Sequence, residues 1–326
     1  MPLTLLEAKA TMQDKVQQLV IDEFRRSSLL LDRLVFDDAV SPGTGGSTLT
    51  YSYTRLKTPS TAGSRALNAE YTPNVALREK ASTDLKIFGG SFDLDRVIQD
   101  TSGALNEIDF QLKEKIAGAR NYFHYQVING DQAADANTFD GLDEILTGSS
   151  TETGTDEVTD LSATVTEAVA LAFLEKLDTF IATLDGKPSM LFGNSKIIGK
   201  IKACARVTGY YSRSEDAFGQ TVDNYDNIPL VDLGQYWNGT ITVPVVPIVT
   251  RTVATVSTTG LTDLYAVTLA LDGFHGVTPQ GGVGLKTYLP DLNAPGAVKT
   301  GEVEMVAGVV LKKTLKAAVL RNVKVQ

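Results

Sequence analysis

One long amphipathic segment, residues 102–128, constrains the fold more than any other part of the sequence. Its apolar side chains recur every three or four residues, which predicts a helix with a single buried stripe. The stripe consists of Leu105, Ile108, Leu112, Ile116, Ala119, Phe123 and Val127. The helix is expected to end at Asn129-Gly130, because such a pair terminates helices. At about 1.5 Å per residue it would be a rod of about 40 Å, so we expect a fold built along one helix.

Two extended segments precede this helix. Residues 47–55 alternate between apolar and polar side chains, as a strand with one buried face does, and residues 75–88 are extended up to a predicted break at Gly89-Gly90. The polar connection 57–74 joins them, which predicts a long two-stranded hairpin. An isolated hairpin is marginal in water, so we expect a surface outside its own fold to stabilise it.

Two further segments, one at the N-terminus and one near the middle of the chain, are interpreted from their periodicity and polarity. Residues 3–35 have helical periodicity and are followed by a breaker at 41–46, which predicts a helical arm. The pattern does not distinguish packing on the arm's own domain from packing on a neighbour. Residues 147–160 are acidic and polar, which is typical of a mobile loop or a domain junction.

The second half combines two helices with several strands. A capping box at Thr164 and Glu167 predicts one helix, and Asn194 or Ser195 is expected to cap the next. Residues 209–227 are interpreted as a loop. The remaining predicted strands are 187–192, 228–233, 241–249, 264–271, 302–312 and 315–325, of which the last two are expected to pair antiparallel. Because helices and strands come in separate runs, the pattern indicates an α+β fold rather than a doubly wound sheet.

Composition and charge exclude several classes of protein. Of the 326 residues, 43% are hydrophobic and 21% are charged, which is enough apolar material for a large core. The net charge of -9 argues against a surface that grips nucleic acid throughout, and the basic end, 299–326, is interpreted as a solvated sheet face. No segment reaches the roughly 18 apolar residues of a membrane span, and the N-terminus lacks a secretory-leader pattern.

Few residues point to catalysis. Residues 193–200 resemble a phosphate-binding loop, but their glycines are too far apart and Ile201 stands where Ser or Thr would bind magnesium. His124 and His275 belong to no spaced ligand set. His124 is expected to be packed in the long helix, and His275, in a turn after 272–274, is expected to make a structural hydrogen bond. Cys204 is expected to be a buried thiol. We therefore expect no catalytic residue, no cofactor and no metal site. The alternative is an α+β enzyme that uses Cys204 or His275, which would be a monomer or small oligomer with a formed pocket.

Several local sequences, taken in their order, resemble the major capsid proteins of tailed bacteriophages with the Hong Kong 97-like fold. The passage Val127-Ile-Asn-Gly-Asp131, followed by Phe139-Asp-Gly-Leu142, looks like that family's long helix, NGD and F-x-G-L. The other similar segments are 189–194, 228–231, 264–273 and 301–325. The order of an arm, a hairpin, a lone helix, a mixed domain and a β-rich end extends the resemblance over nearly the whole chain.

The resemblance implies a division of the chain and a structural role. By this likeness the parts are an N-terminal arm (1–40), an E-loop hairpin (41–95), a P-domain with the spine helix (96–140), an A-domain (141–284) and a return to the P-domain sheet (285–326). Subunits of that family form pentamers and hexamers of an icosahedral shell around packaged double-stranded DNA, and their E-loops and arms lie across neighbours. The implied inter-subunit contacts are Leu19, Phe24, Arg26, Tyr51, Tyr53, Arg55, Lys57 and Arg65. The alternative for each is that it faces the subunit's own core or solvent.

The likeness also implies partners and a location. The partners would be other copies of the chain, a portal, a scaffolding protein and a decoration protein, in a virion assembled in the host cytoplasm without a membrane. Because the chain begins almost directly with its arm, a separate scaffolding protein or none is expected. Some relatives cross-link subunits through a Lys to Asn isopeptide bond, for which Lys57 and Asn293 are the candidates. Within the fold, the alternative is an encapsulin-like nanocompartment that encloses cargo enzymes.

Overall fold

The computed structural model describes residues 28–40, 46–97, 107–209, 212–215, 221–279, 285–291 and 294–326. Its helices are α1 (Leu29–Arg33), α2 (Glu107–Asn129), α3 (Leu142–Leu146), α4 (Glu167–Ala182) and α5 (Ser195–Thr208), with a short 3₁₀ helix at Thr314–Lys316. Its strands are β1 (Phe36–Ala39), β2 (Thr50–Thr58), β3 (Leu77–Asp84), β4 (Lys86–Asp95), β5 (Glu152–Thr153), β6 (Thr159–Asp160), β7 (Met190–Phe192), β8 (Ser212–Glu215), β9 (Thr221–Tyr225), β10 (Ile228–Val231), β11 (Gln235–Trp237), β12 (Thr242–Pro244), β13 (Val249–Val253), β14 (Val256–Val267), β15 (Phe274–Pro279), β16 (Lys286–Tyr288), β17 (Val298–Leu311) and β18 (Ala317–Lys324). Within these ranges no helix is long and apolar enough to span a membrane.

The long helix is confirmed as α2, and it ends at Asn129 as predicted. Residues 102–106 of the predicted helix lie outside the described residues. The predicted stripe is buried at Leu112, Ile116, Ala119, Phe123 and Val127. Phe88 of β4 stacks on Phe123 with 5.6 Å between ring centroids. The helix therefore covers one face of the sheet to which β4 belongs.

This first sheet has the strand order β1, β15, β17 and β16, and β4 also pairs with β17. The predicted break at Gly89-Gly90 is wrong, because β4 runs through both glycines. A Cβ atom at Gly89 would stand 1.9 Å from the carbonyl oxygen of Val303 in β17. The glycine therefore marks a close approach of two strands rather than the end of one.

The second sheet has the order β5, β18, β14, β7, β10, β9 and β8, with β13 on β14 and β6 on β18. Helices α4 and α5 share one hydrophobic core with it. The predicted pairing of the last two strands is wrong, because β17 belongs to the first sheet and β18 pairs with β14 in the second. The 3₁₀ helix stands where a tight hairpin turn would be needed, and the chain passes there from one sheet to the other.

The acidic segment 147–160 is not the mobile loop that its composition predicted. Both β5 and β6 lie within it, and both pair in parallel with β18. The side-chain amide of Asn322 donates to the carbonyl oxygens of Gly154 and Thr155, each at 3.0 Å. The segment is therefore an ordered edge of the second sheet.

Two further local predictions are wrong and one is confirmed. The cap of α4 is Thr166 rather than Thr164, since the Thr166 side chain accepts from the N–H of Val169. Strands β8 and β9 pair antiparallel within residues 209–227, so the predicted loop is wrong there. Asn194 caps α5 as predicted, and its side-chain oxygen accepts from two N–H groups of the first turn.

The predicted hairpin is confirmed as β2 and β3, which form a two-stranded sheet of their own. The register runs from Thr50 opposite Asp84 to Thr58 opposite Leu77. The connection 59–76 contains no strand. The hairpin leaves the body of the subunit near the end of β17, where a Cβ at Gly308 would stand 3.4 Å from the carbonyl oxygen of Asp84.

Candidate assembly surfaces

Cys204 and His275, the two residues that the alternative enzyme would use, do not lie together. Cys204 is fully buried in the core shared by α4, α5 and the second sheet, and burial raises the pKa of its thiol. His275 lies instead in β15, where its ring meets the ring of Tyr51 edge-on with 6.0 Å between centroids. Among the described residues, no group of His, Cys, Asp and Glu could hold a metal ion. The structure therefore offers no Cys–His pair and no metal-ligand set in this part of the chain.

His124 joins three elements from within the core. Its Nδ1 lies 3.1 Å from the carbonyl oxygen of Leu233, which only accepts, so Nδ1 carries the proton. Its Nε2 then accepts from the hydroxyl of Ser28 at 2.8 Å, and the same hydroxyl accepts from the N–H of Leu31 at the start of α1. Burial lowers the pKa of His124 to about 4, although the bond to Leu233 opposes the shift. The histidine is a neutral connector, and its predicted packing in the long helix is confirmed.

The base of the hairpin is fastened to the subunit by its two tyrosines. The hydroxyl of Tyr51 donates to Asp37 at 2.6 Å, and that of Tyr53 donates to the carbonyl oxygen of Leu311 at 3.3 Å. Lys312 lies 3.6 Å from Asp37 and also covers the ring of Tyr51. Burial and the bond to Asp37 both raise the pKa of Tyr51. The tyrosines thus contact their own subunit, and a role for them between subunits stays a prediction.

The other predicted contact residues are spread along the hairpin and the arm. Arg55 pairs with Glu79 across the two strands, and Lys57 lies 3.9 Å from the same carboxylate. Arg65, in the connection, donates to the carbonyl oxygen of Ala69 at 3.2 Å. Leu19, Phe24 and Arg26, on the arm, lie outside the described residues, as does Asn293.

The far half of the hairpin exposes large apolar side chains. Their exposed fractions are 59% for Leu56, 90% for Leu67, 63% for Tyr71, 79% for Val75 and 53% for Leu77. A monomeric protein seldom keeps so many apolar side chains in water along one projection. This half of the hairpin is therefore a candidate contact with another molecule.

One face of the hairpin also carries unpaired positive charge. Arg78 lies opposite Leu56, and Lys80 lies opposite Thr54. We call these four residues the cationic hairpin face. The two cations are exposed, and within the described residues neither forms an ion pair. The cations of the opposite face differ, since Arg55 and Lys57 share Glu79.

The first sheet has a second face that none of the helices in the described part of the chain covers, and it is acidic. Along β4 and β17 buried and exposed residues alternate, and α2 covers the buried side. The carboxylates on the open side are Asp93, Asp95, Glu302 and Glu304, joined by Lys286 and by the exposed apolar residues Ile87, Tyr288 and Val298. We call these residues the acidic sheet face. None of its carboxylates forms an ion pair with any part of the chain that the structure describes.

The second sheet, by contrast, contains a buried cluster of charged side chains. Arg321 is only 7% exposed, with its Nε 2.8 Å from Glu152 and its Nη1 3.0 Å from Asp263, and it also contacts Asp143. Burial would lower the pKa of Arg321, but Asp263 and Asp143 raise it. Arg251 binds Asp263 with two nitrogens, at 2.6 and 2.7 Å. The interpretation of 299–326 as a solvated sheet face is wrong for Arg321. The other basic residues of this segment suggested an exposed surface and gave no sign that this side chain is buried.

Comparison with known proteins identifies the fold but no sequence family. No family model matches the chain, and no curated protein matches it in sequence. An encapsulin complex of Synechococcus elongatus superposes with a TM-score of 0.61 at 14% identity, covering 91% of this chain and 88% of the encapsulin. Mycobacterium phage Bobi gives 0.56 at 9% identity, with 90% of both chains covered. The capsid of Myoviridae phage XM1 gives 0.54 at 10% identity, also with 90% of both covered.

These likenesses define the class of fold. It is the α+β fold of proteins that build closed shells, with one long helix across a sheet, a second mixed domain and a projecting hairpin. More specifically, it is the Hong Kong 97-like capsid fold, as the order of the sequence segments predicted. At these low identities the comparison concerns the fold alone.

Proposed function

We propose that this chain is the repeating subunit of a closed protein shell, and specifically the major capsid protein of a tailed bacteriophage. In this proposal it forms pentamers and hexamers of an icosahedral shell around packaged double-stranded DNA. The observation that carries the proposal is the projecting hairpin, whose far half leaves Leu56, Leu67 and Val75 more than half exposed. A shell explains this exposure, because the apolar surface would be buried against neighbours.

The proposed division of the chain follows the same likeness. Residues 1–40 are the arm, 41–95 the E-loop, 96–140 the P-domain and 141–284 the A-domain. The segment 285–326 contributes β17 to the first sheet, beside β4 and α2. Its last strand, β18, pairs with β14. We therefore assign residues 317–326 to the A-domain rather than to the P-domain sheet.

An encapsulin-like nanocompartment is the second candidate. The specific observation in its favour is the superposition on an encapsulin, whose TM-score of 0.61 exceeds the 0.56 of the phage Bobi structure. The two functions differ in what the shell encloses, which is DNA in one and protein cargo in the other. A net charge of -9 suits a wall that encloses DNA without gripping it, and it does not conflict with protein cargo.

The partners follow from the phage proposal. They are other copies of the chain, a portal at one vertex, a separate scaffolding protein if one is used, and a decoration protein on the outside. The shell would assemble in the host cytoplasm and become part of the virion. A covalent Lys57 to Asn293 cross-link would appear as a ladder of multimers on a denaturing gel.

Electron microscopy of the full chain, expressed alone and purified by size exclusion, tests the proposal. Closed shells, tubes, or rings of five and six subunits are expected. A homogeneous monomer or dimer that persists when a scaffolding partner is co-expressed would contradict it. For particles that do form, nuclease-resistant DNA in particles from infected cells supports the capsid, whereas a co-purifying enzyme supports the nanocompartment.

A further inference from the structure

The chain contains two Asn-Gly pairs, and the structure places them in opposite surroundings. One is Asn129-Gly130 at the end of α2, and the other is Asn238-Gly239 at the tip of the β11–β12 hairpin. We propose that Asn238 is a site of spontaneous deamidation, where the chain converts this residue into aspartate and isoaspartate without an enzyme. The fold directs the reaction to this pair and protects the other. The inference goes beyond the proposed shell function and does not depend on it.

The reaction needs only this pair of residues and water. The backbone nitrogen of Gly239 attacks the side-chain carbonyl carbon of Asn238 and gives up its proton to water or hydroxide, so that a new C–N bond closes a five-membered ring. The bond from Cγ to Nδ2 then breaks, and the side-chain nitrogen takes up a proton and leaves as ammonia. Water opens the resulting succinimide at either carbonyl carbon, which gives aspartate or isoaspartate. One amide and one water thus become one carboxylic acid and one ammonia, with no oxidant or reductant.

The first argument is the freedom of the attacking nitrogen. Within the described residues the N–H of Gly239 donates no hydrogen bond, and both residues of the pair are exposed. The φ of Gly239 is 93°, and a Cβ atom at this position would meet nothing within 4 Å. A glycine in open space can turn its peptide plane toward the preceding side chain, because no Cβ restricts its backbone.

The second argument is the state of the side chain that is attacked. The Oδ1 atom of Asn238 accepts from the N–H groups of Thr240 and Ile241, each at 2.9 Å. Such donors stabilise the negative charge that a carbonyl oxygen gains when a nucleophile adds to its carbon. The Nδ2 atom has no hydrogen-bond partner in the part of the chain that the structure describes, so nothing there retains the leaving group.

The third argument is the contrast with Asn129-Gly130, which has the same chemistry in a closed setting. The N–H of Gly130 donates to the carbonyl oxygen of Gln126 at 2.9 Å, and Nδ2 of Asn129 donates to that of Val245 at 2.7 Å. Gly130 is buried, and a Cβ atom there would stand 2.1 Å from the carbonyl oxygen of Phe139. Both the attacking nitrogen and the leaving group are therefore engaged, and the peptide plane has no room to turn.

Deamidation changes the character of the hairpin tip. Asn238 follows Trp237, which is 59% exposed, and precedes Ile241, which is 58% exposed. Tyr236 of the same hairpin packs on Tyr122 of α2, with 5.2 Å between ring centroids. The reaction therefore places a negative charge between two exposed apolar side chains on a tip that α2 supports. Isoaspartate also inserts one carbon into the main chain, so the turn must rearrange. Because the change accumulates with time, it records the age of each subunit.

Peptide mapping of the full chain by mass spectrometry tests the proposal. One sample is incubated folded at mildly alkaline pH, where base removes the proton of the attacking nitrogen, and a second is incubated in denaturant at the same pH. In the folded chain, conversion at Asn238 is expected to be at least about ten-fold faster than at Asn129, which corresponds to about 1.4 kcal/mol in activation free energy. In denaturant the two pairs should react at similar rates, because the fold no longer distinguishes their surroundings.

Two variants sharpen the test. Gly239→Ala is expected to slow conversion at Asn238 about ten-fold or more, because the added Cβ hinders the attack. The matched control, Thr240→Ala, keeps the Asn-Gly pair and the donor N–H groups and should react like the wild type. Both positions lie in an exposed turn, so thermal melting should report a folded subunit in each case.

The product identifies the route. Labelling with a protein isoaspartyl methyltransferase detects isoaspartate, which forms only through the ring, whereas direct hydrolysis by water gives aspartate alone. Aspartate alone at Asn238, equal conversion of the two pairs in the folded chain, or an unchanged rate in Gly239→Ala would overturn the proposal. So would an Asn238 that stays intact in the folded chain while it reacts in denaturant. None of these outcomes bears on the shell function, which electron microscopy tests separately.

Discussion

The hairpin and the second sheet are both built from β-strands, but the side chains are largely exposed in the hairpin and largely buried in the centre of the second sheet. In β18 every residue except the last, Lys324, is buried, and the second half of β14 is equally buried. In β2 and β3 no residue is fully buried. Charge follows the same division, since Arg321 is enclosed by carboxylates whereas Arg78 and Lys80 face water. The second sheet buries its strands within one subunit, whereas the hairpin leaves most of its side chains exposed, as the proposed shell function would require.

Replacing Arg321 with Met should give the largest loss of subunit stability. The change leaves Glu152 and Asp263, which are largely buried, without this partner. Removing one member of a buried ion pair costs about 3–5 kcal/mol, because a charge stays desolvated without compensation. Urea unfolding of the unassembled chain measures the effect.

The control for this prediction is on the same strand. Lys324 pairs with Asp160 at the surface, at 3.4 Å, and replacing it with Met should cost no more than about 1 kcal/mol. Equal losses from the two variants would contradict the view that the second sheet depends on its internal charges.

Truncation of Leu264 to Ala is the corresponding test of apolar packing. Leu264 is fully buried in the core between the second sheet and helices α4 and α5. Removing the three outer side-chain carbons from such a site costs about 2–5 kcal/mol, because the surroundings collapse only in part. A loss below about 1 kcal/mol in the free energy of unfolding would show that this core is less tightly packed than the structure indicates.

Acid should destabilise the subunit body through His124. The folded pKa of about 4 lies below the unfolded value of 6.5, so the unfolded chain binds the proton first. The stabilisation by the neutral ring is therefore complete above pH 6.5 and is lost as the pH falls toward 4, by about 3 kcal/mol.

The measurement is the free energy of unfolding across that pH range for the wild type and for His124→Gln. Glutamine keeps a hydrogen-bonding side chain and cannot take up a proton, so the variant should lose this part of the pH dependence. Carboxylates titrate equally in both proteins and cancel in the comparison. Identical pH profiles would show that His124 is not the group responsible.

The sequence predicted the parts whose signals are local. The long helix follows from a regular apolar spacing, the cap of α5 from Asn194, and the hairpin from two extended stretches around a polar connection. The likeness of ordered segments then predicted the whole fold, because the order of elements limits how they can be assembled.

The parts that could not be predicted depend on residues far apart in the chain. Nothing near Arg321 indicates that Asp143 and Asp263 will surround it, and nothing near β18 indicates that it pairs with β14 instead of β17. The role of Gly89 is not predictable, because a glycine that ends a strand and one that admits a neighbouring backbone look alike in one sequence. The cationic hairpin face depends on the strand register, which places Arg78 and Lys80 on the side away from Glu79.

Leu56→Ala should have the smallest effect on the stability of the subunit. It tests most directly whether the hairpin, unlike the second sheet, depends on a neighbour for burial. It is the same chemical change as Leu264→Ala, but Leu56 is 59% exposed, so the free energy of unfolding of the isolated subunit should change by less than about 0.5 kcal/mol. Assembly should nevertheless fall, because the side chain would be buried only when a neighbour covers the hairpin. The critical concentration for particle formation, measured by light scattering, is expected to rise for Leu56→Ala. An unchanged critical concentration would mean that no neighbour covers Leu56 in the particle. The exposure of the hairpin, in contrast to the buried second sheet, would then not be explained by assembly.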